Sequence, residues 1–137
     1  MYRRERYNDD RKKGGSEHKS LPKVLGQFIE RGECEQPKEL SSYAREIVGN
    51  AKMSQIRGFY NQVLDLEKKV DMLSDTDYTK ELLKLKAIAE YKKGRNVAKQ
   101  FYRNVSQLVD VLLKEKREAF HNFFLFMQLV VAYSKQG

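Results

Sequence analysis

The sequence predicts an all-α fold, a compact bundle of about five to six helices, and three observations predict it. Apolar residues recur at three- and four-residue spacing over long stretches, glycine-containing stops separate those stretches, and nowhere do apolar and polar residues alternate as they do in a strand. At 137 residues the chain is large enough to bury a real core without disulfide staples. Its single cysteine, Cys34, excludes an internal disulfide and fits a reducing compartment.

Residues 1–19 are polar and lack apolar periodicity, so they read as a flexible basic tail. Arg3, Arg4, Arg6, Arg11, Lys12 and Lys13, with Tyr2 and Tyr7 between them, suit either contact with a phosphate backbone or simple solubilisation. Residues 20–137 read as a single helical-bundle domain. Its first helix is signalled by Ser20 as cap, Pro22 in the opening turn and Val24, Leu25, Phe28 and Ile29 on one face, with Gly32 as its end. Pro37 opens a second helix carrying Leu40, Tyr43, Ala44, Ile47 and Val48, stopped by Gly49-Asn50.

The clearest periodicity runs from Ser54 to Leu73. Ile56, Phe59, Tyr60, Val63, Leu66, Val70 and Leu73 form its apolar side, and Arg57, Asn61, Asp65 and Lys68 lie opposite. Gly58 falls on that outer side, where a glycine costs about 1 kcal/mol relative to alanine. It is either a tolerated glycine or one that lets something approach the backbone closely. Ser74 to Asp77 form a turn able to cap the next helix, which begins at Tyr78 with Leu82, Leu85 and Ala89 on its stripe. After Gly94 the stripe shifts to Val97, Phe101, Val105, Leu108 and Leu112, which requires a break or bend there.

The last helix, about 117–133, has Phe120, Phe123, Phe124, Met127, Val130 and Val131 as its main stripe, with Leu125, Phe126, Leu129 and Tyr133 on other sides. Being apolar nearly all round, it belongs at the centre of the bundle or against another molecule; the central position is favoured. The run from Ala119 to Ser134 lacks Asp, Glu, Lys and Arg, but it is shorter than the roughly 20 apolar residues a spanning helix needs. The expectation is a protein with no membrane association.

Charge is distributed unevenly. Residues 78–103 hold eight Lys or Arg against two Asp or Glu, whereas residues 24–77 hold seven against ten. A helical surface that merely stays in water intersperses its signs, so this concentration favours an anionic partner such as nucleic acid. Lys80 and Lys84 stand one turn apart, as do Lys99 and Arg103, and such pairs repel by a few tenths of a kcal/mol each. Lys52, Lys84, Lys92 and Lys99 are the resulting candidates for phosphate contact, with Tyr91 and Tyr102 as either stacking groups or core-edge residues. Lysine outnumbers arginine in the ridge, which suits contact without sequence readout.

The sequence offers no catalytic set and implies no cofactor. His18 and His121 stand far apart, without the Cys, His or carboxylate pattern of a zinc site. A calcium loop opening at Asp75 and Asp77 would need Gly and Glu where Lys80 and Lys86 stand.

Three stretches also carry a resemblance. Ser54-Gln55-Ile56-Arg57-Gly58-Phe59-Tyr60, with Val63 and Leu66, resembles the signature helix of the small subunit of type III-A CRISPR Csm effector complexes. Tyr91-Lys92-Lys93-Gly94-Arg95-Asn96 is similar to the family's Tyr-x-x-small-Arg segment. Phe120, Phe123 and Phe124 followed by Val130-Val131-Ala132-Tyr133 are similar to its C-terminal helix. The resemblance spans roughly residues 38–135. It implies a noncatalytic, cytoplasmic bundle that stacks in a few copies along an antiviral ribonucleoprotein, touching other Csm effector subunits and lying beside the duplex of crRNA and target RNA. Target cleavage and second-messenger synthesis would belong to other subunits. Arg57 and Arg95 fall on the family's arginine positions and join the RNA-binding candidates on that ground, each with an intramolecular salt bridge as its alternative. One departure is Ala87-Ile88-Ala89-Glu90, where the family often carries a basic residue before the tyrosine; Lys86 is the nearest substitute. A second reading, from a different class, is a protein–protein adaptor or dimeric scaffold that works through the aromatic last helix.

Overall fold

The computed structural model describes residues 23–34 and 36–134. The expectations for the tail, Ser20 and Pro22 lie outside the described residues.

Helix α1, Lys23–Arg31, buries Leu25 and Ile29. Gly32 ends it at φ +74°, where a side chain would be strained and would press on Asn122. Helix α2, Pro37–Glu46, buries Leu40 and Ala44 and runs into a turn at Gly49, φ +56°. Helix α3, Met53–Glu67, buries Ile56, Phe59, Val63 and Leu66, the predicted stripe. It stops six residues short of Leu73, and the chain tightens into a 3₁₀ turn at Val70–Met72. The cause is distant in sequence: Arg117 donates to the carbonyls of Val70, at 2.8 Å, and Leu73. Those carbonyls are thereby satisfied without a continuing helix.

Helix α4, Asp75–Gly94, starts three residues before the expected Tyr78, taking Asp75 to Asp77 into its first turn, with Ser74 as the predicted cap. Ser74 Oγ accepts from the amide of Asp77 at 3.1 Å, and Asp75 and Asp77 lie in the first turn. The break after Gly94 is more than a bend. Asn96 and Ala98 adopt positive φ (61° and 44°), and α5, Lys99–Lys114, folds back antiparallel against α4 with the most extensive helix–helix contact of the described residues. Helix α6, Glu118–Ser134, packs against α1, α2, α3 and α5. The central position predicted for it is the one it occupies.

The core is therefore aromatic and built around α6. Phe120, Phe123 and Phe126 are fully buried. Tyr60 stacks on Phe124 with ring centroids 5.9 Å apart, Tyr43 on Phe126 at 6.1 Å, and Tyr78 meets Phe120 edge-on at 6.3 Å. Phe126, placed by periodicity off the main stripe, is buried because α2 covers that side through Tyr43. Asn122 Nδ2 donates to the carbonyl of Ile29 at 3.1 Å, closing the last turn of α1 against α6.

Candidate nucleic-acid interface

The α4–α5 reversal brings four segments together at one end of the bundle: the turn after α2, the start of α3, the end of α4 and the start of α5. Gln100 Nε2 donates to the carbonyl of Glu46 at 3.0 Å, tying α5 to α2, and the Tyr102 hydroxyl reaches the carbonyl of Gln55 at 3.4 Å, tying α5 to α3. Gln55 Oε1 accepts from the amide of Lys52 at 2.8 Å, fixing the entry to α3. Gly49 permits the closeness of α2 and α5, since an added Cβ would lie 3.0 Å from Gln100.

Two hollows open at this end. One, of about 500 Å³, is lined by Gly49, Asn50, Asn96, Lys99, Gln100 and Arg103. The other, of about 300 Å³, is a groove between α3 and α4 lined by Ser54, Gln55, Gly58, Phe59, Gln62, Ile88, Lys92 and Tyr102. Among the described residues no carboxylate lines either hollow, so none of them supplies a counter-ion to the cations there.

The six sequence-predicted residues divide into groups. Among the described residues, Lys52, Arg57, Lys92 and Lys99 form no ion pair, and neither does Arg103. Lys52 and Arg57 are exposed on α3 and its approach; Lys92 and Lys99 line the two hollows. Arg95 is held locally, its Nη1 donating to the Tyr91 hydroxyl at 2.9 Å with the guanidinium 5.6 Å from the ring centroid. Lys84 is 3.0 Å from Glu81 and sits two turns of α4, about 12 Å, from Lys92. Its side chain remains 70% exposed.

Internal neutralisation along α4 exceeds what the sequence indicated. Glu81 serves Lys69 as well as Lys84, and Glu90 serves Lys93 at 3.0 Å and Lys86 at 3.6 Å. Lys86 is bound further by Asp110 of α5 at 3.0 Å and by the Ser106 hydroxyl at 2.9 Å, so it is committed to the α4–α5 contact. Hydrogen bonds from Ser106 and Lys93, with the charges of Lys93 and Lys86, hold the Glu90 carboxyl below its ordinary range despite a smaller opposing effect of burial. Stacking by Tyr102 is ruled out by position: it is buried edge-on against Phe59 and Phe101, and burial raises its hydroxyl pKa. Tyr91 is 60% exposed, with Arg95 on its ring.

Sequence reasoning left Ser54, Gln62, Asn50 and Gln100 out of the site. They are neutral, and only the convergence of helices far apart in sequence reveals them.

Two further polar contacts tie elements of the fold together. Arg117 takes Asp75 at 2.6 Å, and His121 Nδ1 lies 2.8 Å from Glu67 Oε2 beside a hollow of mixed charge that also includes Arg31, Asp71 and Glu118. No cluster of three or more His, Cys, Asp or Glu suited to a metal occurs among the described residues. None of their helices is long and apolar enough to cross a membrane.

A family model described as Csm2 Type III-A matches residues 34–136, about three quarters of the chain. The chain belongs to that family. It is thus a small subunit of type III-A CRISPR Csm complexes, with other Csm subunits as its assembly partners. The match takes in α2 to α6 and all six predicted cations. Neither a curated protein nor a solved structure matches the chain.

Proposed function

We propose that this chain is the noncatalytic small subunit that braces RNA inside a type III-A effector, using the α3–α4–α5 end of its bundle to contact the phosphates of crRNA and target RNA without reading sequence. The observation that carries this reading is the placement of Lys92, Lys99 and Arg103 in two hollows whose described lining includes no carboxylate, with Lys52 and Arg57 exposed at the same end, while Lys84, Lys86 and Lys93 are tied to acids. A cation left without an internal partner on a rigid scaffold is available to displace the counter-ions of a polyanion. Arg95, poised on Tyr91, extends the surface, and exposed Lys84 lies at its far edge. The subunit would act in the cytoplasm in antiviral defence, with several copies stacking beside one another and residues 20–137 moving as one domain. Membership in the family supports this assembly.

The adaptor reading draws less support from α6, whose Phe120, Phe123 and Phe126 are buried while Leu125 is exposed and Phe124, Leu129 and Val131 are half-buried. The test is RNA binding followed by fluorescence anisotropy across a salt series. Phosphate contact gives a linear fall of log K with log salt, with a slope of roughly −0.7 to −0.9 per contact. Binding that is flat or strengthens with salt would return the adaptor reading.

A further inference from the structure

The groove between α3 and α4 contains the glycine that periodicity placed on the outer side of α3. Ser54, Gly58 and Gln62 follow one another at four-residue spacing and form the α3 wall, Ile88 and Lys92 form the α4 wall, and Tyr102 lies at the floor. Gly58 is exposed and mid-helical, and a Cβ built there meets nothing within 4 Å. Nor does it belong to the positive-φ positions, which among the glycines are Gly32 and Gly49. Neither crowding nor backbone conformation inside the chain calls for a glycine, although it weakens the helix relative to alanine. The groove it opens contains one charged side chain, the cation Lys92, and neutral hydrogen-bonding groups on Ser54 and Gln62.

We infer that the groove over Gly58 is the seat of a ribose–phosphate strand, in which the bare α3 backbone lets the sugar edge approach while Lys92 takes a phosphate and Ser54 and Gln62 meet sugar hydroxyl and phosphate oxygens. An acidic protein segment would also satisfy Lys92. The repeating backbone fits better because the groove pairs its one charge with neutral donors and acceptors, and because Arg57 and Lys52, which form no ion pair among the described residues, continue positive charge along the same helix and its approach. This inference rests on the proposed RNA-bracing role and assigns it a specific track.

The test uses the full chain, a labelled mixed-sequence RNA 20-mer as single strand and as duplex, and the variants Gly58→Ala, Gly58→Leu, Lys92→Ala, Arg57→Ala and Met72→Ala. Alanine and leucine are strong helix formers, so both Gly58 variants should unfold a few degrees higher than the parent. Their RNA affinity should nevertheless fall, roughly fivefold for alanine and twentyfold or more for leucine, as the side chain occupies the track. Met72→Ala, exposed in the 3₁₀ turn beyond the far end of α3, should leave affinity unchanged. Lys92→Ala should lower the salt slope by about one phosphate contact. Higher melting with unaltered affinity in both Gly58 variants, while Lys92→Ala and Arg57→Ala still weaken binding, would overturn the groove and leave the bracing role standing. A parent chain that binds neither RNA at low salt would overturn both. Normal RNA affinity in Gly58→Leu together with loss of co-purification with the other Csm subunits would make the groove a protein seat and overturn the RNA track.

Discussion

Replacing Arg117 by alanine should cost more than any surface charge change in this chain, although its ion pair with Asp75 looks like a peripheral contact. The Asp75 carboxylate is fully exposed, so solvent screens that pair and it contributes little. The larger part comes from the two backbone carbonyls that the guanidinium holds, Val70 and Leu73. Arg117 itself is only 22% exposed and Val70 is buried, so water reaches the vacated position poorly. The Val70 carbonyl keeps only a long 3.4 Å bond from the Leu73 amide, so losing the guanidinium's bonds costs about 1–3 kcal/mol, and loss of the cation over the Tyr78 ring, 5.1 Å away, adds about 0.5–1 kcal/mol. Together these give about 2–4 kcal/mol, or a fall of roughly 5–15 °C in melting temperature for a domain of this size. Far-UV circular dichroism through thermal and urea unfolding measures it. Asp75→Ala is the control and should shift melting by no more than a few degrees. Lysine at 117 should rescue only part of the loss, because one ammonium does not reproduce the two-armed fork. A shift below about 3 °C for Arg117→Ala, or full rescue by lysine, would refute the view that this side chain ends α3 and anchors the 3₁₀ turn.

Three further outcomes follow from the same structure. The triple variant Arg57→Ala, Lys92→Ala, Arg95→Ala should keep its helicity by circular dichroism, lose roughly tenfold or more in RNA affinity at low salt, and show a salt slope shallower by about two contacts. Gly49→Ala should destabilise by about 1–2 kcal/mol in urea unfolding, since it places a side chain at φ +56° and against Gln100. Burial first, with Glu46 beside Tyr43 and Glu118 beside Tyr78, pushes both hydroxyls from 10.0 up to about 12, Arg117 opposing at Tyr78. A pKa raised in the folded state gives a contribution that is complete below the unfolded value and lost as pH climbs through the folded one. Stability should therefore decline between about pH 10 and 12, less steeply in Tyr43→Phe, as followed by urea midpoints.

Much of this fold is legible in the sequence because its signals are local. Gly32 and Gly49 end their helices at positive φ, Ser74 caps α4, and the jump of the apolar stripe at Gly94 marks a reversal. Local reasoning stops where a distant partner decides. The 54–73 periodicity continues past Glu67, yet Arg117, some fifty residues on, captures the carbonyls that would have carried the helix further. Likewise Asp110 neutralises Lys86 from outside the basic segment, and the meeting of α5 with the aromatic side of α3 buries Tyr102. For the candidate interface, charge counting finds Lys92 and Lys99. It misses Ser54, Gln62 and Asn50, which matter only because three helices converge there.

The place of α6 also sets an order of events during synthesis. The α4–α5 hairpin makes its contacts between neighbours in the chain and can close as soon as both helices have been made. Helices α1, α2 and α3 meet one another and the hairpin only in part, α3 through Phe59 against Phe101 and Tyr102: the rest of their apolar sides waits for Glu118–Ser134 to emerge and pack on them. A ribosome stalled before that point would hold a chain with a closed hairpin and three helices only partly covered, a natural client for chaperones.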